Sequence, residues 1–110
     1  MATYILRGKY SPTAYQGMLA SPSDRGQGAK SISSAVGAKM LDAFFSVTNG
    51  DAVVLIEGTK EHMAELQMIT MASGAFLSVT IEELISTKVQ TAAMKTAGAK
   101  AAKYKSPNKK

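Results

Sequence analysis

Two stretches of the chain alternate apolar and polar residues with the period of a strand. In residues 38–47, Leu41, Ala43, Phe45 and Val47 fall on one face and Met40, Asp42, Phe44 and Ser46 on the other. In residues 75–81, Ala75, Leu77, Val79 and Ile81 oppose Phe76, Ser78 and Thr80. Residues 51–57 are almost unbroken in apolar residues between Asp51 and Glu57. That is the pattern of a central strand buried on both faces. Residues 3–10 are rich in β-formers and stop at Ser11-Pro12, which predicts the first strand. Thr48-Asn49-Gly50 supplies the turn between the second and third strands, Asn-Gly being a strong hairpin signal.

Helical patterns fill the gaps. Pro12 suits a first helical turn with Ser11 as its cap, and the short helix that follows ends near Leu19 at Ala20-Ser21-Pro22. Ser23 is placed to cap a second piece running to about Val36, with Gly37 as its stop. Gly26 and Gly28 inside that piece each cost up to ~1 kcal/mol relative to alanine. Gly58-Thr59 opens a further helix to about Ser73, with Gly74 as C-cap. Its apolar residues, among them Leu66, Met68, Ile69 and Met71, form a girdle wide enough for burial on two sides. Glu82-Glu83 suits the positive end of a last helix, which fades into Ala/Lys/Gly-rich sequence after about Lys95.

The order βαββαβ predicts an α+β, ferredoxin-like domain: a four-stranded antiparallel sheet with helices on one face. The other face is left open, and packing two open faces together is the common way to cover it. A chain of 110 residues is one domain. We place the domain at residues 1–95 and a basic tail at residues 96–110.

The opening Met1-Ala2-Thr3-Tyr4-Ile5-Leu6-Arg7-Gly8-Lys9-Tyr10, the Ser11-Pro12-Thr13 helix start and Val36-Gly37-Ala38-Lys39 leading into Phe44-Phe45 have a familiar order. Asp51 heading an apolar strand that ends at Glu57, and Ser73-Gly74 before the fourth strand, extend it. Over about residues 1–86 the chain resembles the GYD-domain family, small bacterial and archaeal proteins of largely unknown function. The resemblance implies a dimeric α/β-barrel type of assembly. The family's Gly-Tyr-Asp signature region stands here as Thr48-Asn49-Gly50-Asp51, so Gly50 replaces the tyrosine and only the aspartate is kept. A role carried by that tyrosine in relatives cannot be performed in the same way here.

Charge changes the picture at one end. The net charge of +5 divides into −2 over residues 1–87 and +7 over residues 88–110, where seven lysines stand without an acid. Such a tail permits salt-sensitive binding to nucleic acid, but Tyr104 alone offers no stacking ladder, and a solvated, partly helical tail is the ordinary reading. There is no cysteine and one histidine, so thiolate chemistry is excluded and no histidine cluster arises within one chain. No apolar run approaches the about 20 residues of a membrane span, and no signal-peptide pattern opens the chain. A cytoplasmic location without membrane contact is expected.

Candidate chemistry is sparse. Gly26-Gln27-Gly28-Ala29-Lys30-Ser31 lacks both the glycine before Lys-Ser and the preceding strand that a phosphate loop needs. His62, in a first helical turn, is too thin a ligand set for a metal. Met63, Met68 and Met71 are read as core or interface filling. No cofactor motif is present. If Leu41 and Phe45 point to the helices, then Asp42, Phe44 and Ser46 point to the open face, joined by Asp51, Arg7 and Ser78. Asp42, Asp51 and Arg7 are the candidate catalytic groups, able to orient a polar ligand or share a proton. Phe44, Ser46 and Ser78 are the candidate ligand contacts. A salt-bridge layer at a dimer interface explains the same residues and carries more weight. The functional expectation is a homo-oligomer whose facing sheets enclose a small organic molecule and support a cofactor-free proton transfer or isomerisation. A non-enzymatic self-assembling scaffold is the alternative, and nucleic-acid association through the tail a second.

Overall fold

The computed structural model describes residues 1–108; Lys109 and Lys110 of the expected tail lie outside the described residues. The strands β1 (Ala2–Tyr10), β2 (Lys39–Ser46), β3 (Asp51–Gly58) and β4 (Phe76–Leu84) form one sheet in the order β2-β3-β1-β4. All neighbours are antiparallel. The helices are α1 (Pro12–Ala20), α2 (Arg25–Val36), α3 (Lys60–Ala72) and α4 (Thr87–Lys100). This is the ferredoxin-like α+β arrangement, its first helix split in two at Ser21-Pro22.

Alternation on β1 divides the sheet. Tyr4, Leu6, Gly8 and Tyr10 are buried toward α2 and α3, and Arg7 and Lys9 are exposed on the other side. Tyr4 and Leu6 join Ala38, Val54, Ile56, Met63, Leu66 and Val79 in the core. Ile56 and Leu66 each keep only 1% of their surface, so truncating either to alanine would cost about 2–5 kcal/mol. Gly8 is required by a close approach: a Cβ there would stand 2.6 Å from the Phe76 ring.

Caps fix the helix ends. Ser11, itself buried, accepts from the Ala14 amide at 3.1 Å and donates to the Gly74 carbonyl at 3.0 Å, tying β1 to the start of β4. Asp24, rather than Ser23, caps α2, its Oδ1 accepting from the Gly26 amide at 2.9 Å. That helix ends at Gly37 in the left-handed region (φ 93°), with the Ala38 amide donating back to the Ser33 carbonyl at 2.9 Å. Thr59 and His62 form a capping box on α3, in which His62 Nδ1 accepts from the Thr59 amide.

Several expectations are corrected, among them the face of Phe76, which a register shift between Lys9 and Tyr10 turns to the core side while Leu77 is exposed. The fourth strand continues through Glu82 and Glu83 to Leu84, because Ile81 packs against the core while Glu82 pairs across the open face; α4 begins only at Thr87. In β2 the register skips between Met40 and Asp42, so the alternation breaks at Leu41 and Met40 packs on the core. Val47 lies beyond the strand in the turn. On α3 only Met63 and Leu66 are buried, and Met68 is 61% exposed, so within this chain the girdle is covered on one side. α4 is exposed along its whole length.

Candidate functional site

Register brings all six sequence-selected residues to the open face. Arg7 lies opposite Val53 and Thr80, Asp51 opposite Lys9 and Ser46, Phe44 opposite Val53, Asp42 opposite Leu55, and Ser78 opposite Lys9. Their polar groups are mostly engaged. Arg7 pairs with Glu82 at 3.2 Å and Lys9 with Asp51 at 3.4 Å, both across strands at a surface where such pairs contribute ~1 kcal/mol or less. Asp42 accepts from the Ala43 amide at 2.8 Å, and Ser46 Oγ accepts from the Asn49 amide at 3.2 Å. Between these groups runs an apolar stripe of Phe44, Val53, Leu55 and Ile5.

A concave volume lies on the opposite side of the sheet. A cavity of about 630 Å³ opens between the sheet, α2 and α3. Leu6, Ala52, Val54 and Ile56 form its floor, Ala29 and Ile32 of α2 one wall, and Leu66 and Ile69 of α3 the other. Of the six open-face candidates only Phe44 touches it. The end wall is aromatic: Tyr10 and Phe76 stack with centroids 5.0 Å apart, and Phe45 stacks on Tyr10 at 6.5 Å. A smaller cavity of about 230 Å³ adjoins it beneath α1 and shares Tyr10, Arg25 and Phe76.

Few polar groups reach this volume. Thr70 Oγ1 donates to the Leu66 carbonyl at 2.6 Å, and Ser73 Oγ donates to the Thr70 carbonyl at 2.6 Å, so both serve their own helix. Burial pushes the Tyr10 hydroxyl above its usual range, and the neighbouring Arg25 guanidinium only partly offsets this. Tyr10 therefore stays a proton donor at neutral pH. Among the described residues no group of three or more His, Asp or Glu is placed to hold a metal, and no helix is long and apolar enough to cross a membrane.

The family model of the GYD domain matches residues 4–93, which takes in β1 from Tyr4 onward, β2 to β4, α1 to α3 and the cavity. The chain belongs to the GYD-domain family. No curated protein and no solved structure matches it. In this GYD domain the turn before β3 favours glycine at residue 50. Gly50 adopts φ 71°, a conformation that side chains disfavour, and its carbonyl accepts from the Tyr15 hydroxyl at 2.9 Å. A Cβ at residue 50 would stand 2.8 Å from that hydroxyl. Tyr15 of α1 thus occupies the space that a side chain at 50 would enter.

The sequence pattern missed the cavity because its lining is dispersed. Tyr10, Arg25, Phe45 and Phe76 come from four elements, and only the sheet order assembles them. One signal was available: the pair of helix-weakening glycines at 26 and 28, which line the cavity at the start of α2.

Proposed function

We propose that this GYD domain binds a small, largely apolar organic molecule in the cavity between its helices and sheet. The cavity itself carries the reading: about 630 Å³ is the size of a ligand site, and an apolar lining with a few polar groups is its usual composition. The test uses N-phenyl-1-naphthylamine, a neutral probe whose fluorescence rises in apolar surroundings. We expect saturable binding by the wild-type chain and its loss in Ala52→Phe, which places a ring on the cavity floor. Binding that persists in a folded Ala52→Phe variant would put the probe elsewhere and sink the reading.

A second reading concerns assembly. The stripe Phe44, Val53, Leu55 and Ile5, flanked by the pairs Arg7–Glu82 and Lys9–Asp51, offers apolar contact with both signs of charge beside it. Such a face is self-complementary about a two-fold axis, which supports a homo-oligomer formed sheet to sheet. In that arrangement Asp42, Asp51 and Arg7 serve the interface.

A further inference from the structure

We propose that the ligand is a small organic acid, its unsaturated or aromatic body lying along the Tyr10–Phe76 wall and its carboxylate held by Arg25 at the cavity mouth. The inference rests on the reading of the cavity as a ligand site and adds the chemical class of the ligand.

Three observations converge on Arg25. First, among the described residues it forms no ion pair with a carboxylate. The nearest acid in sequence, Asp24, also lines the cavity, and it spends Oδ1 on the Gly26 amide as the cap of α2. A guanidinium that neighbours the Tyr10 hydroxyl and, among the described residues, pairs with no carboxylate presents a planar donor fork matched to a ligand's carboxylate. Second, Arg25 lines both cavities, as does Tyr10, so the two donors sit where the volumes meet. A guanidinium and a protonated phenol side by side favour an acceptor that carries negative charge.

Third, the backbone makes room for this placement. A Cβ on Gly28 would stand 3.0 Å from Arg25 Nη2, so an alanine there would push the guanidinium aside by a few tenths of an ångström. The helix gives up propensity at that point, and the guanidinium lies over its backbone there. Gly28→Ala should therefore strengthen the helix and displace Arg25 together, an opposition that a purely structural glycine would not produce.

The experiment compares two probes of similar aromatic body on the full chain: anionic 8-anilinonaphthalene-1-sulfonate and neutral N-phenyl-1-naphthylamine. The sulfonate stands in for the carboxylate. Ala52→Phe controls for anionic probe held elsewhere, including at the lysine tail, and only the component it removes is compared. We expect Arg25→Gln to weaken the anionic probe by about tenfold, the scale of one lost charge-assisted contact, and to leave the neutral probe unchanged. Arg25→Lys should recover part of the loss. Gly28→Ala should raise the thermal midpoint while weakening the anionic probe alone. If the neutral probe binds but Arg25→Gln alters neither affinity, or lowers both equally, the acid inference is overturned and the cavity reading stands. If neither probe has a component that Ala52→Phe removes, the cavity reading itself fails.

Discussion

Tyr10 links folding to the candidate site through one hydroxyl. Its ring is stacked between Phe45 and Phe76, and burial raises its ionisation above the ordinary tyrosine value of 10.0. The consequence for stability has a definite sign. Below pH 10 both folded and unfolded chains keep the proton, and the native advantage is intact. As pH rises beyond that, the unfolded chain releases its proton first, so unfolding becomes easier until the folded hydroxyl ionises as well. We expect urea midpoints of wild type to fall more steeply between about pH 9.5 and 11 than those of Tyr10→Phe, with lysine titration common to both. Parallel pH profiles would mean that the hydroxyl gains no protection from the fold. The residues most legible in the sequence were those obeying the period of two, such as Val79 and Ile81. Gly8 was not legible in this way. Its role depends on Phe76, 68 positions away, lying across the strand where a side chain would stand.

At the scale of elements, β3 was expected to be buried on both faces and is fully buried only on its helix side, at Val54, Ile56 and Gly58. Alternation did put the six polar and aromatic candidates on one side of the sheet. It failed at Leu41 because a bulge adds one residue to β2, and a period-two pattern cannot show where the count slips. It also failed at Glu82-Glu83, where two acids beside an apolar strand resemble a helix start until the pairing with β1 is known. The cavity was illegible for a related reason: it is the space left between elements, and no single segment encodes it. Gly37, in contrast, was read correctly as a stop. The chain turns there with φ 93°, and a Cβ would stand 3.2 Å from His62 Nε2 at the start of α3. Gly37→Ala should cost about 1–2 kcal/mol from the left-handed backbone, with more if the histidine must move. Chemical denaturation would measure this, and a loss below about 0.5 kcal/mol would mean that the helix end rearranges.

For the whole molecule, the two faces of the sheet divide the labour. The helix side holds the core and the cavity, and the open side presents the apolar stripe between ion pairs. Ligand binding and self-association can therefore be separated by substitution. Leu55 sits at the centre of the open face, opposite Ile5 and Asp42, and is absent from the cavity lining. Leu55→Lys places a cation there with Asp42 beside it. The charge has a partner within its own chain but meets a second copy of itself across a two-fold axis. Sedimentation of this variant should show a monomer where wild type sediments as a larger species, while N-phenyl-1-naphthylamine still binds. An oligomer unchanged by Leu55→Lys would move the interface away from this face, leaving the exposed Met68 and Ile69 flank of α3 as the next apolar surface to test. Loss of the probe together with dissociation would show that the cavity depends on assembly, so that the two sides of the sheet act as one unit.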